Sequence, residues 1–154
     1  MGVHAQSATA TVDPSIVWER WTEPEYWPQD DPSILRAKRN GPLAKGAVGV
    51  LRWKKGGRST YRIVEVDRSA LRFVTETKLP LATATYAREL TRPEVEGSDA
   101  EGAVDVDPDA RVLTHRLTIK GPLAKVWDRF VGRPMAAELP GVLDSIIAAA
   151  SVTH

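Results

Sequence analysis

The stretch "RVLTHRLTIKGPLAKVWDRFV", residues 111–131, changes its periodicity in the middle. From Arg111 to Lys120 the side chains alternate. Leu113, His115, Leu117 and Ile119 share one face, and Val112, Thr114, Arg116 and Thr118 the other, as in a half-buried strand. Gly121 and Pro122 then signal a turn. Beyond it Leu123, Val126, Trp127, Phe130 and Val131 recur at i, i+3, i+4, i+7 and i+8, one stripe of a helix. Met135, Leu139, Val142, Leu143, Ile146, Ile147 and Ala150 continue the stripe. "GRP" at 132–134 predicts an interruption. Pro140 predicts a kink or a break, because proline lacks the N–H and crowds the preceding turn. A last strand therefore hands over to a long, broadly apolar terminal helix.

The pentapeptide "GPLAK" within this stretch also occurs at 41–45, where an alternating run, "AVGVLRW", follows in place of a helix. The flanks of the two copies do not align, so there is no internal repeat. Ala47 and Val48 stand where a phosphate-binding Walker loop needs Lys and Ser or Thr. Each copy is turn chemistry, predicted to mark a reversal of the chain.

Working back from residue 111, five more runs read as strands: "SILRAKR" (33–39), "GAVGVLRWK" (46–54), "STYRIVEVD" (59–67), "ALRFVTETK" (70–78) and "LATATYARELT" (81–91). Short links between them predict an antiparallel meander, since parallel crossovers need longer connections. "HAQSATATV" (4–12) adds a first strand. Asp13 then caps a helix with Pro14 in its first turn, ending by Pro24, and "EPEYWPQDD" (23–31) reads as a second short helix or packed turn. The expected fold is α+β: a seven-stranded antiparallel sheet wrapped around a long C-terminal helix, with two short helices after the first strand. A twisted sheet closing on one helix leaves a space between them.

Composition bounds the rest. The chain has 154 residues, 42% hydrophobic and 27% charged, with a formal net charge of +1. It reads as one domain, 1–154, with no strong nucleic-acid partner. Without cysteine there is no disulfide, thiolate metal site or cysteine nucleophile. No signal peptide or membrane span is legible, so a cytoplasmic protein is expected. Residues 93–110 hold seven acids and no Lys or Arg, leaving the remainder at about +8. This stretch reads as a solvated insertion between the last two strands. Asp105, Asp107 and Asp109 alternate, but Ala110 and Arg116 stand where a calcium-binding EF-hand loop needs Gly and Glu.

The order of elements resembles the START-like (SRPBCC, helix-grip) superfamily, in its polyketide cyclase/dehydrase-like branch. The stretches that carry the resemblance are "DPSIVWERWTEPEYWPQDDPSI", "NGPLAKGAVGVLRW", "YRIVEVDRSALRFVTETKLPLA" and residues 111–150. It implies a domain that binds an apolar or aromatic small molecule, lipid- or polyketide-like, in an internal cavity. The alternative it implies is a cyclase or dehydratase. Such proteins often carry a His where Arg88 stands.

Among residues that carry chemistry, His115 lies on an apolar strand face. It is either an acid/base or ligand donor, or a core histidine bonded to a backbone carbonyl. Arg88 shares its face with Ala84, Tyr86 and Leu90. It either offers a cation to a ligand oxyanion or snorkels at the edge toward Glu65 or Glu76. Tyr86, Trp53, Phe73, Thr75, Leu117 and Trp127 complete the candidate lining. Trp18, Trp21 and Trp27 on the short helices cover one end of the space. No metal or cofactor pattern is present, and Lys54, Lys55 and Arg58 form a solvated basic turn. A third reading is a partner-binding module without a ligand, for which a homodimer is one form.

Overall fold

A computed structural model of the chain describes residues 2–54, 57–93 and 109–151. Seven strands form one antiparallel sheet: β1 (Gly2–Thr11), β2 (Ile34–Asn40), β3 (Val48–Trp53), β4 (Arg58–Asp67), β5 (Arg72–Leu79), β6 (Ala82–Thr91) and β7 (Ala110–Lys120). Their order across the sheet is β1-β7-β6-β5-β4-β3-β2. Six strands thus pair with their sequence neighbours, and β1 closes onto β7. Most of the acidic stretch between β6 and β7, with Asp105 and Asp107, lies outside the described residues, as does Lys55.

Helix α1 spans Pro14–Thr22, where the Asp13 carboxylate accepts the Ser15 amide at 2.9 Å. A 3-10 turn (Pro24–Tyr26) and helix α2 (Trp27–Asp30) follow. The terminal helical segment runs as α3 (Ala124–Trp127), a π turn (Asp128–Gly132) and α4 (Arg133–Ala150).

One expectation for this segment is corrected and a second is narrowed. "GRP" does not interrupt it. The wider π turn lies just ahead of Pro134, so a tight α turn need not place the proline ring against the preceding carbonyl. Nor does Pro140 break the helix. It sits on the exposed side, while Leu139, Val142 and Leu143 around it are buried and hold the helix through the lost backbone bond. The far end is tied down as well, by the Asp13 amide donating to the Ala150 carbonyl at 2.8 Å and by a bridge between Val12 and Ser151. Among the described residues no helix is long and apolar enough to cross a membrane.

Both copies of "GPLAK" begin at a glycine with positive φ, +89° at Gly41 and +125° at Gly121. A Cβ at Gly121 would lie 2.6 Å from the Leu81 carbonyl oxygen. The shared string is therefore two turns that need glycine. At Gly49, in the middle of β3, the constraint is space: a Cβ there would overlap the Tyr61 ring and the Lys38 carbonyl. Gly49→Ala is expected to cost about 2–3 kcal/mol of stability by overpacking, seen as a lower urea midpoint with an unchanged slope.

The sheet's inner face carries two apolar clusters. One gathers Trp21, Phe73, Leu90, Leu113, Leu143 and Ile146; the other gathers Ala82, Ala84, Leu117, Ile119 and Ala124. Strands β6 and β7 run through both. Between the clusters, on those strands, lie the buried polar side chains of Arg88 and His115.

Candidate functional site

A cavity of about 900 Å³ lies between the sheet, α2 and the terminal helices. That volume suits a drug-sized molecule. Phe130, 67% exposed, lines it where it meets solvent, and Trp127 is fixed there by donating to the Pro80 carbonyl at 2.8 Å. Seven of the eight expected site residues line it: His115, Arg88, Tyr86, Trp53, Thr75, Leu117 and Trp127. Phe73 does not. It is buried behind the lining, under Trp18 at 6.3 Å and with its ring 5.0 Å from the Arg88 guanidinium carbon. Trp21 and Trp27 from the short helices also line the cavity.

The register explains why the polar side chains meet. In β5–β6, Thr75 pairs with Tyr86 and Phe73 with Arg88; in β6–β7, Arg88 pairs with His115 and Tyr86 with Leu117. Facing side chains across a ladder point the same way, so one face receives Thr75, Tyr86, Arg88 and His115 together.

Arg88 is 8% exposed. Its Nη1 donates to Thr75 Oγ1 at 3.3 Å and to the Tyr86 carbonyl at 3.4 Å. Its guanidinium carbon lies 4.3 Å from the centre of the Tyr86 ring and 5.3 Å from that of Trp27. Among the described residues it makes no ion pair: Glu65 pairs with Arg72, and so does Glu89. The snorkelling and Glu65 alternatives are thereby set aside. Burial pulls the Arg88 pKa down to about 10, so it remains a cation at neutral pH. A guanidinium has five N–H donors, and the two long bonds leave most of them for something else. A buried charge without a counter-charge is costly, and rings behind it repay only part of that cost.

His115, 1% exposed, is held at both nitrogens. Trp21 Nε1 donates to its Nε2 at 3.1 Å, and its Nδ1 is 2.7 Å from the Tyr86 hydroxyl. An indole N–H can only donate, so Nε2 accepts and the ring proton sits on Nδ1. Nδ1–H then donates to the Tyr86 oxygen, which leaves the Tyr86 O–H proton free to donate onward. Burial first, and the Arg88 charge second, push the His115 pKa well below its ordinary value, so the ring is neutral at pH 7. Burial likewise raises the Tyr86 pKa and keeps it a phenol. The expected partner of a core histidine, a backbone carbonyl, is not what the ring finds. The result is a relay, Trp21 to His115 to Tyr86, ending in one oriented hydroxyl beside an unpaired guanidinium.

Opposite the sheet, α1 brings Arg20, α2 and its exit bring Asp30 and Asp31, and α4 brings Glu138. Sequence reasoning did not place these residues in the site: "WPQDDP" (27–32) reads locally as turn chemistry, and Arg20 and Glu138 read as ordinary helix charges. The paired acids beside two prolines were the signal available. Asp30, 5% exposed, accepts from Arg20 Nη2 and from the Ser145 hydroxyl, both at 2.7 Å on Oδ1, while its Oδ2 has no partner among the described residues. Among the described residues no cluster of His, Asp or Glu is placed to hold a metal.

An antiparallel sheet gripping a terminal helix, with a lined cavity between, defines the helix-grip fold. Solved structures of that kind match the chain along nearly its whole length. The di-domain ARO/CYC BexL from the BE-7585A biosynthetic pathway matches at TM-score 0.68 and 15% identity over 95% of this chain and 46% of its own. Norcoclaurine synthase from Thalictrum flavum, solved with dopamine and hydroxybenzaldehyde, matches at 0.63 and 12% over 94% and 83%. Major latex-like protein 151 from Panax ginseng matches at 0.62 and 12% over 98% of each chain. At such identities the likeness establishes the fold. No family model and no curated protein matches the sequence.

Proposed function

We propose that the protein binds an apolar or aromatic small molecule, lipid- or polyketide-like, in the cavity between sheet and terminal helix, with a polar oxygen of the ligand at Arg88 and Tyr86. The observation that carries this is the buried Arg88 guanidinium, without an ion pair among the described residues, on the wall of a cavity lined largely by aromatic and aliphatic side chains. Apolar burial supplies most of the affinity, at roughly 25 cal/mol per Å² before the costs of association. The charged hydrogen bonds fix the orientation.

A cyclase or dehydratase with His115 as acid/base has less support. Both ring nitrogens are engaged, and the ring is buried behind Tyr86. His115 fits the part of a positioning residue.

Trp21, Trp27, Trp53 and Trp127 line the cavity and would report its occupation. In a panel of lipids, polyphenols and polyketides, at least one compound is expected to change the tryptophan emission and raise Tm. At 100 times its Kd a ligand stabilises by about 2.7 kcal/mol, or several degrees. If none of the panel moves either signal, ligand binding is the wrong function.

A further inference from the structure

The cavity has walls of opposite character. The sheet wall offers donors: Arg88, the Tyr86 hydroxyl and Thr75. The helical wall offers acceptors, and Asp31 is the one best placed to use. Its Oδ1 accepts the Ser33 amide at 2.9 Å and the Ser33 hydroxyl at 2.6 Å. Its Oδ2 has no partner among the described residues. Asp31 lines the same cavity as Arg88 and Tyr86, and among the described residues it forms no ion pair with Arg88. A carboxylate and a guanidinium that line one cavity without closing on each other leave that cavity to a ligand.

We propose that Asp31 on the helical wall and Arg88 with Tyr86 on the sheet are the two poles of one site, which takes an aromatic molecule carrying an anionic oxygen and, apart from it, a hydroxyl group. This rests on the cavity being a ligand site and adds the ligand's chemical class. The anionic oxygen sits at Arg88 and Tyr86, where an unpaired cation and an oriented O–H both donate. The hydroxyl donates to Asp31 Oδ2. A neutral donor suits Asp31 better than a cation does, since two Ser33 donors already stabilise that carboxylate. Asp30 does not compete for the ligand, because its charge is paired with Arg20 at 2.7 Å and its unbonded Oδ2 is buried. The faces of Trp27 and Trp53 and the side chain of Leu117 accommodate the ring system between.

The test uses 2-naphthoate, its isomers hydroxylated at each ring position, and the methyl ether of the tightest isomer, titrated by tryptophan fluorescence. In the unmodified protein one hydroxylated isomer is expected to bind about tenfold tighter than 2-naphthoate, and its methyl ether is expected to lose that gain. In Asp31→Asn the amide oxygen keeps the Ser33 bonds and turns Nδ2, a donor, into the place of Oδ2. The tenfold difference between the hydroxylated isomer and 2-naphthoate should vanish there, whatever the variant does to the affinity of 2-naphthoate itself. The methyl ether comparison needs no variant, so it stands even if Asp31→Asn folds poorly. If 2-naphthoate binds but no hydroxyl adds affinity, or the gain survives Asp31→Asn, the two-pole site is overturned and ligand binding is not. If no naphthoate binds, the two-pole site falls; ligand binding itself falls only if the lipids, polyphenols and polyketides are also silent.

Discussion

Arg88→Met is expected to stabilise the empty protein and to weaken an anionic ligand roughly 10- to 100-fold. Both effects have one cause. In the empty site the guanidinium is buried with two long hydrogen bonds and no acid within ion-pair distance among the described residues. Burying a charge costs several kcal/mol unless it is paired, and well-packed hydrophobic replacements of buried charges have stabilised proteins by about 1–4 kcal/mol. Methionine keeps the length of the side chain and its contact with the Phe73 and Tyr86 rings. The ligand, by contrast, loses hydrogen bonds to a charged group, worth about 1.5–3 kcal/mol, which is the source of the expected fold-change. Urea unfolding without ligand and titration with 2-naphthoate measure the two effects. Arg88→Lys serves as the control that keeps charge and loses the planar fork. A destabilised Arg88→Met protein with unchanged affinity would make Arg88 a structural residue and leave the cavity without its anchor. A gain of stability that comes with lost function is the mark of a group retained for binding.

His115→Ala is expected to cost about 3–5 kcal/mol, more than any other single change in the site. It leaves the buried Trp21 N–H without its acceptor, removes the donor to Tyr86, and opens a void beside Leu113 and Leu117. The same burial makes stability depend on pH in a defined direction. His115 has a folded pKa below the unfolded value of about 6.5, so below that pH the unfolded chain takes up a proton that the folded chain refuses. The contribution is present in full above about pH 6.5. It is lost as pH falls, by up to about 1.4 kcal/mol per pH unit, until the folded ring itself protonates. Urea midpoints between pH 8 and pH 5 measure this. His115→Gln, which can still accept from Trp21, is expected to flatten the slope. The other two histidines are present in both proteins, so the difference between the curves belongs to His115. Parallel curves would mean that the ring is not the buried, neutral group its contacts describe.

Much of this architecture is legible locally. Alternation at Leu113, His115, Leu117 and Ile119 is a property of the extended chain, and the observed burial of those four follows it. The same holds for Ala84, Arg88 and Leu90 on β6. Asp13 and Pro14 start α1 as their chemistry requires. Where alternation breaks, a bulge is the reason: the β4–β5 register shifts between Ile63 and Glu65, so the buried parity of Tyr61 and Ile63 does not carry on to Glu65. Where proline misled, the neighbours decided. Pro140 costs one backbone bond, and the burial of Leu139 and Leu143 outweighs it.

The amino-acid sequence by itself determined the order of elements, the inward faces of β6 and β7, and the presence of one arginine and one histidine on them. These follow from periodicity and turn chemistry, which act over a few residues. Only the tertiary structure decided that Phe73 stands behind the site, that His115 is clasped at both nitrogens by Trp21 and Tyr86, and that Asp31 and Arg88 line one cavity. Those facts depend on strand register and on how far a helix sits from a curled sheet. Both are set by the packing of the whole chain, and no short stretch of it carries them.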